Sequence, residues 1–247
     1  MICPSAVSFL LLGSKGIFVV SNNDLKAQVD NLIRIGIALS SETDIDVLLE
    51  MIVDESRRFT GADAGTLYSV SDDGRFLDWQ IAHNDTLGSR MGGASGVPVT
   101  LPPVPLIVDG QMNLQNVSAY VGNTGETVNI PDVYEAEGFD FSGPRRYDEA
   151  TGYRSTSMLV VSLRNHEGDI IGVLQLLNAK HEDDVIPFSS DYESFIAALA
   201  SQAAVAITNA RLIQELSHLF DAFIQTTAAA IDEKSPYTGG HCNRVPE

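Results

Sequence analysis

The chain has 247 residues, 44% of them hydrophobic, with 33 acidic against 15 basic side chains and a formal net charge of -18. That length and apolar content suit one large domain with appendages, and so negative a field excludes a groove for a phosphate backbone, so no nucleic-acid partner is expected. The two cysteines, Cys3 and Cys242, lie near opposite ends, which excludes a disulfide framework and a Cys-rich zinc site.

Residues 1–22 read as an N-terminal extension. The stretch 5–20 is apolar, but Lys15 and two glycines interrupt it, leaving it short of the roughly 20 residues of a spanning helix. No Lys or Arg precedes it as a secretory leader would require. It is expected to pack or stay disordered rather than act as a targeting segment, with no membrane span, and the acidic, cysteine-poor remainder points to the cytoplasm. Residues 23–43 hold a helix whose apolar stripe is Leu25, Val29, Leu32, Ile33, Gly36 and Leu39. Ser41 is a candidate N-cap for a second helix over 44–59, apolar at Ile45, Leu48, Leu49, Ile52, Val53 and Phe59 and stopped by Gly61.

Strands follow at 65–70 and 76–82, joined by Asp72-Asp73-Gly74. That turn shares acids with a calcium loop, but no ligand ladder follows, so it is a hairpin. Residues 88–115, rich in Gly and Pro, read as a long loop of the functional or mobile kind. Asn116 can cap a short helix through Val121, and Gly125 leads into a strand at 127–130. Residues 132–149 read as irregular, with six acids and Arg145-Arg146. Strands at 157–163 and 169–177, linked by Asn165-His166-Glu167-Gly168, carry near-continuous apolar runs, as central strands covered on both faces do.

From residue 191 the pattern is helical for about ten turns. Phe195, Leu199, Gln202, Ala206, Asn209, Ile213, Leu216, Phe220 and Phe223 form a seam with alternating steps of four and three. A seam that long, with polar Gln202 and Asn209 in it, favours pairing of two chains as a homodimer over an amphipathic helix lying on its own sheet.

Three motifs in order, Val128-Asn129-Ile130-Pro131-Asp132, residues 147–154 (YDEATGYR) and Gly172-Val173-Leu174-Gln175-Leu176-Leu177-Asn178, resemble a GAF domain of the subtype found in cyclic-nucleotide phosphodiesterases and bacterial signalling proteins. The resemblance implies a sensor domain over 44–210 with an α+β (α/β sandwich) GAF fold. An antiparallel sheet of about six strands would carry helices on one face and a ligand pocket on the other, with long flanking helices forming a dimer bundle. The implied ligand is a small molecule of the cyclic-nucleotide class, with no cofactor in this chain. In a chain this acidic, a phosphate would need helix-end amides, and the resemblance matches Val117 and Ser118 to them. It also places Asp148, Thr151 and Ser155 on the pocket wall and Gln175 beneath the ligand. Each has a plainer role open to it: Asp148 a turn acid, Thr151 a cap, Ser155 a strand-edge hydroxyl, Gln175 a sheet polar group. The family's Asn-Lys and Phe-x3-Asp-Glu pattern becomes Asn178-Ala179-Lys180 and Phe188 followed by Asp191-Tyr192-Glu193. Lys180 is expected to pair with Asp191 or Glu193.

Residues 230–241, followed by Arg244-Val245, resemble the opening of an HD or HD-GYP metal-dependent phosphohydrolase, so that 228–247 would be the start of that domain and 191–227 the signalling helix into it. The resemblance makes His241 a ligand of divalent metals in a complete domain. One ligand cannot make a hydrolytic centre, so no catalysis is expected of this chain. No cysteine lies between Cys3 and Cys242, which disfavours a tethered bilin or a GAF-type sulfoxide reductase. Haem is disfavoured too, although His83, His166 and His181 are candidate axial ligands. The two remaining readings are a sensor controlling a phosphohydrolase and a ligand-free dimerisation module.

Overall fold

Helix α1 spans Asn22–Ser41 and α2 spans Ile45–Thr60 in the computed structural model, which describes residues 22–182 and 184–234. The expected extension up to residue 21, and His241 and Cys242, lie outside the described residues. The cap of α2 is Asp44 rather than Ser41: its carboxylate accepts from the Asp46 and Val47 amides at 2.9 and 3.3 Å. An ionised acceptor also complements the positive end of the helix. Gly61 closes the helix in the left-handed region (φ 69°), its N–H donating to the Arg57 carbonyl, a conformation in which an L side chain is strained. On α1 it is Ile35 and Leu39 that are buried, while Ile33 is half exposed.

Strands β1 (Ala62–Val70) and β2 (Phe76–Asn84) form the first hairpin. The segment expected to be loop contains four short strands, β3 (Ser89–Gly92), β4 (Val104–Pro105), β5 (Ile107–Val108) and β6 (Gln111–Met112). Then come α3 (Val117–Thr124), β7 (Val128–Ile130), α4 (Ser142–Thr151), β8 (Met158–Arg164), β9 (Ile170–His181), β10 (Asp184–Ile186) and α5 (Ser190–Lys234). Helix α4 corrects the irregular reading of 132–149; Phe141 at its N-cap makes no side-chain bond, and the Ser142 amide is instead taken by Asp140 Oδ1 at 2.8 Å. The sheet runs β3-β2-β1-β9-β8-β7, antiparallel throughout, with β4 added to β2 and β10 to β9. Six strands thus make the main path, as expected of a GAF fold.

Side chains alternate across a strand, and the two faces build two cores. Leu67, Ile81, Leu159, Leu163, Leu174 and Leu176 face α2 and α5, where they meet Leu48, Ile52, Leu199, Ala203 and Ile207. Tyr68, Leu77, Met158, Val160 and Val173 face the other way, against Ala119 and Val121 of α3, Val133 and Phe141. A fully buried aliphatic side chain stabilises by about 1.5–3 kcal/mol. Helix α5 divides at Ala210. Before it, Ile196, Leu199, Ala200, Ala203, Ala204 and Ile207 are buried on the chain's own sheet. Beyond it, from 211 to 227, every residue is exposed.

The seam is corrected accordingly. Leu199 and Ala206 belong to the chain's own core, Phe195 stacks on Phe59, and Gln202 and Asn209 face solvent. Ile213, Leu216, Phe220 and Phe223 remain 51–68% exposed. Steps of three and four suit a helix on a sheet as well as a coiled coil, and the small Ala200, Ala203 and Ala204 let the helix approach the strands closely. Helix α5 also crosses the expected boundary at 227/228 without a break. Residues 190–230 form a helix long and apolar enough to cross a membrane, its most apolar 18-residue window having a mean hydropathy of 1.4, but 44% of that window is packed inside this fold.

Where α2 meets the β2–β3 edge, the His83 ring nitrogens face Asp54 at 3.1 Å and Glu50 at 3.6 Å, and Arg90 donates to Asp54 at 2.6 Å. Partial burial raises the Asp54 pKa, but the His83 and Arg90 contacts outweigh it and hold the carboxyl at about 2, below its ordinary 3.8. Its stabilisation is therefore present above pH 3.8 and lost as the pH falls through about 2. Both side chains are partly exposed, so Arg90→Met is expected to cost about 0.5–1 kcal/mol at pH 7. That deficit should shrink toward zero near pH 2. Urea unfolding of both proteins across this range checks it, and a constant deficit would assign the effect elsewhere.

Candidate functional site

A cavity of about 330 Å³ opens on the sheet face opposite α2 and α5. Its strand side is Ala64 and Thr66 of β1, Trp79 and Ala82 of β2, and Gln175 and Leu177 of β9. Leu101, Pro102 and Val104 form one wall; Phe141, Gly143, Pro144 and Tyr147, at the start of α4, form another. The α3 N-terminus closes a third side with Asn116, Val117 and Ser118. No lining residue is Lys or Arg, and Asp140 is the one carboxylate.

Helix α3 starts there because Asn116 Oδ1 accepts from the Ala119 amide at 3.0 Å. That leaves the Val117 and Ser118 N–H groups as the first-turn donors, at the positive end of the helix. Val117, Ser118, Ser155 and Gln175 all line the cavity. Asp148 and Thr151 do not. Thr151 is exposed at the last position of α4, donating from Oγ1 back to the Tyr147 carbonyl at 2.8 Å and accepting from the Tyr153 amide at 3.3 Å, while Gly152 is the C-cap.

Asp148 stands behind the wall. Its Oδ2 accepts from the Tyr134 hydroxyl and the Ser155 amide, both at 2.8 Å, and its Oδ1 accepts from the Ser155 hydroxyl at 2.9 Å. The Arg154 guanidinium covers the Tyr134 ring at 4.1 Å. The acid therefore sets where Ser155 sits without touching the cavity. Next to it, Tyr153 donates to Asp63 Oδ2 at 2.8 Å, Thr86 donates to Asp63 Oδ1 at 2.8 Å, and Lys180 caps the same carboxylate. Lys180 thus pairs with Asp63 on β1, not with Asp191 or Glu193. Glu193 instead accepts from Asn129 Nδ2 at 2.6 Å, tying α5 to β7. Burial raises the Asp63 pKa, but Lys180, Tyr153 and Thr86 together hold it below its ordinary value.

Trp79 and Tyr147 are cavity residues that sequence reading missed. Strict alternation puts Trp79 on the face of Ile81, but the β1–β2 register slips between Leu67 and Tyr68. One extra residue, Gln80, moves Trp79 across the sheet. The indole then tilts against Tyr68 at 4.6 Å and donates from Nε1 to the Pro102 carbonyl at 2.9 Å. Gly92, at φ 84°, accommodates this slip: a Cβ there would lie 1.7 Å from the Gln80 carbonyl oxygen. The haem candidates do not converge, since the His83 ring faces α2 and both His166 and His181 are exposed. Among the described residues no group of three or more His, Cys, Asp or Glu is placed to hold a metal ion.

The GAF domain family profile matches residues 44–207. A 99-residue stretch is 35% identical to the dual 3',5'-cyclic-AMP and -GMP phosphodiesterase 11 of Drosophila melanogaster, covering 40% of this chain but 6% of that enzyme. The GAF domain from a phosphoenolpyruvate-protein phosphotransferase of Coxiella burnetii has the same fold (TM-score 0.55, 16% identity, 78% of this chain and 99% of that one). So has the free methionine-R-sulfoxide reductase of Neisseria meningitidis, solved with its substrate (TM-score 0.52, 17% identity, 84% of this chain and 99% of that one).

Proposed function

The chain belongs to the GAF domain family, and from that membership we propose that it is a regulatory sensor whose cavity binds a small flat heterocycle of the cyclic-nucleotide class. The observation that carries this reading is the cavity itself. Apolar walls from Trp79, Leu101, Phe141 and Leu177 meet the free first-turn amides of α3. A single negative charge suits that helix end, whereas a wall without Lys or Arg disfavours a polyphosphate. Similarity to phosphodiesterase 11 supports the ligand class.

At a hundred times its dissociation constant, a ligand adds about 2.7 kcal/mol to stability. Thermal unfolding with cyclic AMP and cyclic GMP is therefore expected to show a melting-temperature rise of several degrees with at least one. No rise with either nucleotide would sink the ligand class. Occupancy would reach the output along α5, which packs directly on the sheet beneath the cavity, provided the ligand binds two helix arrangements unequally. The resemblance of 230–245 to an HD phosphohydrolase supports a metal-dependent phosphodiesterase as that output, in the cytoplasm. A longer chain carrying that domain is expected to show divalent-metal-dependent activity that responds to the ligand.

The exposed distal half of α5 supports the homodimer: Leu212, Ile213, Leu216, Leu219, Phe220, Phe223 and Ile224 are 50–68% exposed. So contiguous an apolar surface is a pairing surface. Leu216→Asp with Phe220→Asp is expected to weaken the dimer by at least about thirtyfold in sedimentation equilibrium, with the melting of the GAF unit unchanged. A wild-type monomer at tens of micromolar, as an order-of-magnitude working concentration, would remove this part. The same surface is what a ligand-free dimerisation module would need, and the nucleotide titration separates the two readings.

A further inference from the structure

Gln175 is the one amide side chain that β9 contributes to the cavity, and its two ends are chemically opposite: oxygen accepts, nitrogen donates. Which end faces a ligand is fixed by its neighbours. One terminal atom lies 3.4 Å from the Met158 sulfur. A thioether accepts weakly and never donates, so that atom is the nitrogen. The oxygen then faces the Tyr68 hydroxyl, which donates to it at 3.1 Å. Tyr68 is 2% exposed and its ring is wedged against Trp79, so the phenol cannot swing away. One N–H of Gln175 is taken up weakly by sulfur. The other is left for the cavity that the side chain lines.

We propose that Tyr68, held in the core, locks Gln175 as a hydrogen-bond donor, so that the cavity selects heterocycles presenting an acceptor, a ring nitrogen or carbonyl oxygen, to β9. Tyr68 is the positioning residue and Gln175 the specificity-determining one. This rests on the ligand-binding reading above but does not depend on the ligand being a nucleotide. A site built to donate discriminates against a partner that also donates, because two N–H groups then face each other unpaired.

Two uncharged bicyclic probes of nearly equal size isolate the effect: quinoline, whose ring nitrogen accepts, and indole, whose N–H donates. Affinities are read from amide chemical shifts in NMR titrations of the whole chain. Wild type is expected to bind quinoline about fivefold more tightly than indole. Gln175→Glu, which keeps the shape but removes the donor, is expected to reverse the order. Tyr68→Phe keeps the ring but frees the amide to turn, and should bring the ratio close to one while both probes still bind. A general loss of packing would weaken both probes alike and leave their ratio unmoved. Should Gln175→Glu not fold, Gln175→Met is expected to lose the quinoline preference in the same way. Equal binding of both probes by wild type, or a ratio unchanged by Tyr68→Phe, overturns the inference alone. Binding of neither probe overturns it together with the ligand-binding reading.

Discussion

Asp63→Ala is expected to destabilise the protein by about 3 kcal/mol, the scale set by breaking a buried, hydrogen-bonded ion pair. The carboxylate is almost wholly buried and takes Lys180, Tyr153 and Thr86 at once. Without it the buried Tyr153 hydroxyl keeps only its bond from Asn178 Nδ2 at 2.9 Å. Lys180 is partly exposed, with 36% of its side-chain surface accessible, and recovers water, which holds the loss below the upper end of the range. Asp63→Asn retains an acceptor oxygen and should cost roughly half as much. The pH dependence gives a second readout. Because the folded-state pKa of Asp63 is depressed, its contribution is present above the ordinary carboxylate value and lost as the pH falls below it. Urea unfolding at pH 7 and near pH 3 should therefore show the Asp63→Ala deficit narrowing in acid. A full deficit that persists in acid would mean the loss comes from packing rather than charge.

Asp148→Ala should separate two properties that most cavity substitutions change together. The side chain is buried and satisfies the Ser155 amide, the Ser155 hydroxyl and the Tyr134 hydroxyl. Stranding a buried amide with its neighbours costs about 2–3 kcal/mol. It also frees Ser155 and the α4–β8 connection that carries it. Affinity for the best-binding cyclic nucleotide is expected to drop about tenfold or more, although Asp148 does not line the cavity; a displacement of roughly 1 Å in a binding wall is enough for that. Thr151→Ala is the control. Its hydroxyl bonds back to the Tyr147 carbonyl on the exposed side of α4, so its loss should cost at most about 1 kcal/mol and leave affinity alone. Calorimetric titration of the two variants decides between direct and indirect roles. Equal losses of affinity in both would return Thr151 to the ligand.

Much of the frame was legible because it rests on local chemistry. The Asn116 cap, the Gly61 stop, the hairpin at Asp72-Asp73-Gly74 and the apolar runs of β8 and β9 each follow from a side chain acting on its own backbone or on its face. Short strands were not legible for the opposite reason. Two residues at Val104–Pro105 have no periodicity, and they are strand only because β2 lies beside them. Helix α4 was not read because Phe141, not a polar residue, stands at its N-cap, its first amide is taken from one residue further back by Asp140, and it buries Asp148 through hydrogen bonds rather than an apolar stripe.

By itself the sequence determined the family and the order of the long elements, and of the six residues it offered for a ligand, Val117, Ser118, Ser155 and Gln175 line the cavity. Tertiary structure alone decided on which side of the sheet the decisive groups stand. The extra residue at Gln80 carries Trp79 over to the cavity, and Asn178, at φ 55°, turns β9 so that Ala179 packs with the helices while the Asn178 side chain holds Arg154 and Tyr153. The first is a one-residue change of register; the second leaves the β1–β9 register unchanged (Ala64 opposite Leu177, Ala62 opposite Ala179) and turns both strands over locally. In a strand the side-chain period is two, so one residue reverses every assignment that alternation would make. The same limit applies to the seam of α5, where steps of three and four specify an apolar stripe. Whether that stripe meets the chain's own sheet or a second chain depends on where the sheet ends, at Ala210.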